Sequence, residues 1–153
     1  MNSISLADIA DAQAVLKEVL VETPTLRLKS DRWEGILPDI AGGAIKMELF
    51  QQAGSFKARG AYLGIHRLTD VERSNGVVAA SGGNHALAVA WAAKKAGISA
   101  RIAIPKAADP VRLNGCRALG AEVILCDDIA DAFATMETCA ADEGRTIMHP
   151  FEG

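Results

Sequence analysis

Short β-prone runs recur along this chain at a nearly constant interval. "VVAAS", "ARIAI", "EVILC" and "TIMHPF" begin near Val77, Ala100, Glu122 and Thr146, about two dozen residues apart, and "AIKMEL" precedes them. All but the last lead into a helical stretch. Two dozen residues accommodate one strand, one helix and two short loops, the βαβ unit in which successive strands lie parallel. The runs are apolar without alternation, as expected of strands covered by helices on both faces. The fold class expected is α/β, an open parallel sheet with flanking helices. The repetition is architectural, since the units share no residue motif.

Helix punctuation supports this division. Asn84 can cap a helix that Lys94 and Lys95 close, with Gly97 just beyond. Asp109-Pro110 has the cap-then-proline order of a helix start, and Gly120 marks its end. Asp128 opens the next helix and Gly144 closes it. Near the N-terminus, Ser5 with Asp8 three residues on reads as a helix cap, and Leu6, Ile9, Leu16, Val19 and Leu20 fall near helical spacing. That helix should stop before Thr23-Pro24. "SDRWEGILPDIAGG" reads as a loop.

At 153 residues the chain suits one domain of ordinary size. A net charge of −3 gives no electrostatic footprint for nucleic acid. The first residues lack the basic start and apolar core of a signal peptide, and runs such as "ALAVAWAA" are too short to cross a bilayer. Cys116, Cys126 and Cys139 have no close C-x-x-C spacing and read as reduced thiols. A cytosolic setting is expected, with neither nucleic acid nor membrane as partner.

In an open parallel sheet, ligands bind beyond the carboxyl ends of the strands, where loops meet helix N-termini. Two loops there are unusual. "SGGNH", residues 81–85, combines Gly82 and Gly83, which let bare N–H groups face a ligand, with the donors Ser81 and Asn84. The following helix directs its positive end at the same place, which makes an anion site for carboxylate or phosphate. A plain strand-to-helix turn capped by Asn84 explains the same residues. "AGSFK" places Lys57 among small residues at a helix start. It is either a solvated surface lysine or one that forms a Schiff base with a carbonyl partner. Ser55 is either part of that site or only the helix cap. Arg59 and Arg67 read as solvated or paired with nearby acids, and His66 and His149 have no metal-ligand neighbours. His85 reads as a residue that orients its loop.

Taken together, "KMELFQQAGSFKARGAYLGI" and "VVAASGGNHALAVAWAAKKAG" resemble the serine/threonine dehydratase family, pyridoxal-phosphate enzymes of the tryptophan-synthase-β fold type (fold type II). The likeness continues through "ARIAIPKAADPVRLNGCRALGAEVILC" to "HPFEG" and begins near "TPTLRL". It implies pyridoxal 5'-phosphate held as a Schiff base on Lys57, with Phe56 near the pyridine ring and Asn84 on the phenolic oxygen. The loop Ser81, Gly82, Gly83, Asn84 and His85 would hold the substrate carboxylate, with Ser55 at the pocket edge. The implied reaction is β-elimination from a hydroxy amino acid such as threonine or serine, giving a 2-oxo acid and ammonia.

Three further details follow from the resemblance. Ala58 stands where sulfhydrylase-like members carry Asp, which makes β-replacement the weaker reading. Gly82 stands where serine racemases carry their second base, which argues against racemisation. Arg112 replaces a lysine common after the family's proline. Relatives also run longer than this chain. The expected organisation is therefore N-terminal pieces of a large domain at 1–50, a small α/β domain at 51–145, and a return to the large domain at 146–153. The glycine-rich loop that cradles the cofactor phosphate in relatives has no counterpart here. A homo-oligomer or a complementing C-terminal half is the expected protein partner. A catalytically inactive fragment that binds a small anion or a partner is the alternative.

Overall fold

The computed structural model describes residues 4–28 and 43–151. Every residue of β3 (Val77–Ala80) is buried, so this run occupies the interior of the sheet. β4 (Ala100–Pro105) lies on one side of it and β6 (Thr146–Ile147) on the other, while β5 (Glu122–Cys126) continues beyond β4. The order is β5-β4-β3-β6, and each neighbouring pair is parallel. The expected α/β fold with an open parallel sheet is the one observed.

Successive strand residues point to opposite faces, and this sorts the core into two layers. Val77, Ala79, Ile102 and Ile104 pack under α2 (Lys57–His66), α4 (Asn84–Ala96) and α5 (Pro110–Ala118). Val78, Ala80, Ala103 and Cys126 pack under α6 (Ile129–Glu143), which presents Ala132, Met136 and Cys139 at helical spacing. α4 is buried over most of its circumference, because it lies between the sheet and α2. Its alanines, among them Ala86, Ala88, Ala90 and Ala92, let the neighbouring elements approach closely. All three cysteines are free and buried. Among the described residues, no helix is long and apolar enough to cross a membrane.

Most caps stand where the sequence puts them. Ser5 and Asp8 form a reciprocal capping box at the start of α1 (Leu6–Leu16). Asp109 and Asp128 cap α5 and α6, and Gly97 and Gly144 end α4 and α6 in the left-handed conformation. Asn84 is a correction: it is the first residue of α4, and the cap position belongs to Gly83, which has no side chain to offer. A short helix, α3 (Asp70–Asn75), has no counterpart in the strand-helix pattern. Its capping box of Thr69 and Glu72 is the T-x-x-E signal that marks it.

Three strand expectations also change. "AIKMEL" does not join the parallel sheet. Its first part forms β2 (Gly43–Lys46), antiparallel to β1 (Thr25–Leu28), and Glu48 already begins a 3-10 turn. "TIMHPF" is strand only at Thr146–Ile147, with one more bond to β3 from Met148 N to Val78 O. β5 lies at the sheet edge and is apolar-buried only in part. The loop expected over "SDRWEGILPDIAGG" falls, but for its last glycine, outside the described residues.

Gly76 joins α3 to the sheet. Its N–H donates to Glu72 O, and its carbonyl accepts from Thr146 N at 3.0 Å. Its φ of +80° lies where L side chains are strained, and a Cβ there would come within 2.6 Å of the Ser99 carbonyl oxygen.

Candidate functional site

Two left-handed residues in succession, Ala53 (φ 54°) and Gly54 (φ 69°), turn the chain towards α2. An alanine in that conformation costs about 1 kcal/mol, and such strain tends to be kept where a turn must aim something. The chain then runs through Ser55 in extended geometry to Phe56, the cap position, and Lys57, the first residue of α2. Ser55 is not the helix cap. It is buried, and its Oγ has no hydrogen-bond partner. Phe56 is largely exposed.

Lys57 is not a solvated surface lysine. Its Nζ donates to the Pro150 carbonyl at 2.7 Å. It also lies 5.6 Å from the Phe56 ring centroid and 5.4 Å from that of Phe151, within cation–π range.

The second loop leaves β3 with Ser81 N bonded to Ala103 O at 3.1 Å. Ser81 Oγ accepts from Gly83 N at 3.1 Å, so that N–H is engaged within the loop. The next N–H groups belong to the first turn of α4, which has no intrahelical partners for them. Asn84 is exposed, and its Oδ1 accepts from Arg112 Nη1 on α5. An amide so held presents its NH2 as the free end. His85 is buried, and its Nε2 lies 2.8 Å from Met148 O. Burial, and after it the Lys57 and His149 charges, push the imidazole below its ordinary pKa of 6.5, against the bond to Met148.

Lys57 and His85 share one cavity of about 520 Å³. Phe56, Gly60, Met148 and Pro150 also line it. A Cβ built on Gly60 meets nothing within 4 Å, so the wall is open there. Sequence reasoning put Lys57 and the "SGGNH" loop on neighbouring strand ends. The finding differs: Lys57 comes from α2, and β2 before it belongs to the other sheet. The remaining predicted residues, Ser55, Ser81, Gly82, Gly83 and Asn84, are not part of this wall.

A charged clamp fixes the chain before α2. Arg59 Nε and Nη2 donate to the two oxygens of Glu48 at 2.8 Å each, and Thr23 Oγ1 donates to the same carboxylate at 2.7 Å. The Arg59 hydrogen bonds, outweighing burial, hold Glu48 at about 2, below its ordinary 4.5. The folded-state value is the depressed one, so this stability is fully present above pH 4.5 and lost as pH falls towards 2. With Arg59 39% exposed, solvent screening reduces it to about 1–2 kcal/mol. In urea unfolding, wild type should exceed Glu48→Gln by that amount near neutral pH, and the gap should close progressively below pH 4.5. A constant gap down to pH 2 would contradict this assignment.

Gln51 makes a second tie, accepting from Val21 N and donating to Val21 O. His66 is exposed and stacked on Tyr62. His149 makes ring contacts with Phe133 and Phe151. The sequence reading missed Arg112 as a partner of Asn84 and the two carbonyls, Met148 O and Pro150 O. Arg112 had a signal, an altered residue one turn into α5. The carbonyls had none, because any residue supplies one.

A profile of the family described as "Pyridoxal-phosphate dependent enzyme" matches residues 21–153. The phenylserine dehydratase of Ralstonia pickettii is 41% identical over 150 residues, 97% of this chain and 44% of that protein. The L-threonine ammonia-lyase of Thermotoga maritima is 42% identical over 151 residues, 97% of this chain and 36% of that one. Among solved structures, maize serine racemase superposes with a TM-score of 0.87 at 32% identity, covering 99% of this chain and 45% of the other. The chain thus spans less than half the length of the curated relatives it matches. With its match running from before β1 past Pro150, and so across both loops of the site, the chain belongs to the family of pyridoxal-phosphate dependent enzymes.

Proposed function

We propose that this chain carries the lysine and the substrate-carboxylate loop of a β-elimination enzyme, one that converts a hydroxy amino acid to a 2-oxo acid and ammonia. The observation that carries the reading is the cavity that both Lys57 and His85 line. The dehydratase relatives favour the reaction class. Pyridoxal phosphate is the cofactor of the family, and the residues present fit it. A lysine amine and an aromatic ring stand side by side in the cavity wall, and open space lies above Gly60.

When bound, pyridoxal phosphate supplies a conjugated ring that accepts electron density from the substrate Cα. Lys57 Nζ is the group that would attach it, and the same nitrogen, unprotonated, would take the Cα proton. Asn84, its Oδ1 occupied by Arg112, would donate from Nδ2 to the cofactor's phenolic oxygen. Phe56 would cover one side of the ring. The substrate carboxylate would rest on the Ser81–His85 loop at the positive end of α4. Gly82 offers no second base, and a Cβ there would already crowd Ala108 at 3.1 Å, which favours elimination over racemisation. The domain division we infer is a small domain at 51–145, with 1–50 and 146–153 belonging to a larger one. β6 nevertheless pairs with β3 in one sheet.

The test is to supply the chain with pyridoxal phosphate and threonine, serine or phenylserine, without added nucleophile, and to measure ammonia and 2-oxo acid. Release of both supports the reading. Product only with an added thiol would replace it by β-replacement, and enantiomer exchange without ammonia by racemisation. One observation favours a second reading, a silent module that binds a small anion or a partner chain: of the Ser81–His85 loop only His85 lines the cavity with Lys57. Cofactor binding without turnover would favour it.

A further inference from the structure

Met148 is held from three sides. Its N–H donates to Val78 O of β3 at 2.8 Å. Its carbonyl meets His85 Nε2 at 2.8 Å, at the start of α4. Its side chain lies against α2, where a Cβ on Gly64 would come within 2.7 Å of the methyl group. Two residues later the Pro150 carbonyl takes the Lys57 amine. One short segment therefore connects the first turn of α4 to the lysine on α2.

A carbonyl oxygen only accepts, so His85 Nε2 must carry a proton in this geometry. The ring is buried, and burial first and the Lys57 charge after it oppose a second proton. Of the three ties, only the one from His85 reaches the segment from the substrate loop, and it acts on the last carbonyl before His149 and Pro150.

We propose that His85 is a positioning residue, whose neutral imidazole, protonated on Nε2, fastens the Met148 carbonyl to the first turn of α4 and so sets where the Lys57 amine rests. Loop and lysine then keep a fixed separation, which a two-point site needs if the substrate Cα is to meet the base. The tether stands on its own geometry, while its catalytic meaning rests on the role proposed for Lys57.

The experiment uses the full chain without cofactor. Long-range proton–nitrogen correlation of the imidazole should show His85 as the Nε2–H tautomer near neutral pH. Trace acetylation with acetic anhydride, read residue by residue by mass spectrometry, reports the Lys57 amine against Lys95 on the last turn of α4. His85→Leu should raise Lys57 labelling roughly two- to tenfold, the range expected for loss of one net hydrogen bond. His85→Gln, which keeps a donor near the same place, should restore the wild-type ratio. Amide exchange in β3 and β4 should be the same in all three proteins, which separates a local tether from general loosening. An Nδ1–H tautomer, or Lys57 labelling unchanged in His85→Leu, overturns the proposal. The tautomer is read on wild type, so an unstable variant does not remove the test. Neither readout involves cofactor or turnover, so failure of the proposed reaction and failure of the tether are seen separately.

Discussion

Lys57→Ala is expected to leave no covalent adduct when the chain is mixed with pyridoxal phosphate and reduced with borohydride. Wild type should gain one adduct, at Lys57, with a visible absorbance band before reduction. Lys17, Lys29, Lys46, Lys94, Lys95 and Lys106 all remain in the variant, so loss of the adduct would reflect the site rather than the chemistry of lysine in general. The selectivity has a structural basis. The Lys57 amine is fixed against Pro150 O and between two aromatic rings, whereas Lys94 and Lys95 are exposed at the end of α4. The substitution removes one hydrogen bond at a half-buried position, so melting should fall by no more than the equivalent of about 1.5 kcal/mol. Any turnover should drop by roughly 10²–10⁴-fold from loss of the base alone. Equal adduct yield in wild type and Lys57→Ala would sink the assignment.

Gly76→Ala is expected to remove a large share of the chain's stability, although one methyl group is all that it adds. The methyl meets the Ser99 hydroxyl and, at 2.6 Å, the Ser99 carbonyl oxygen, and Arg145 Nη1 lies 2.8 Å away. Ser99 O is itself fixed, since it accepts from Val77 N at 2.9 Å. The Arg145 guanidinium can swing aside, but the Ser99 carbonyl cannot retreat without breaking the start of β3. Adding the positive φ to this overlap gives a loss of about 3–5 kcal/mol, a large share of the stability of a domain this size. Urea unfolding by circular dichroism reads it directly, and a loss below about 1 kcal/mol would show that the junction adjusts. Gly97→Ala is the control, because it shares the left-handed φ of +70° but meets nothing within 4 Å. It should cost only about 1 kcal/mol.

The sequence disclosed what is encoded locally. Asp109-Pro110, Asp128, Gly97 and Gly144 each act within one turn of themselves, and all four mark their helix ends as read. The spacing from Val77 to Thr146 was enough for the parallel sheet, because chain length alone limits how such strands connect. β2 was misplaced because "AIKMEL" is as β-prone as its neighbours, and its partner is chosen by tertiary pairing with Thr25–Leu28. In the site, Lys57 and the two glycines stood out by residue type. Ser55 could be read as cap or pocket residue, and its hydroxyl makes no cap bond and lies buried outside the cavity wall. The anchors at Met148 and Pro150 are backbone atoms that lie far along the chain from the residues they hold, and nothing in residue type announces them.

The shortness of β6 has a consequence for the order in which the molecule becomes itself. Its two residues pair with a strand from which α4, β4, α5, β5 and α6 separate it in the chain. Closing so long a loop costs entropy that few bonds return, so this pairing belongs late in folding, after the local βαβ contacts have formed. For the same reason it belongs to the first part to open when the native state fluctuates. Met148 and Pro150 follow directly on β6. The anchors of Lys57 and His85 are therefore set late and released early, and the cavity can lose its shape while β3, β4 and β5 stay folded.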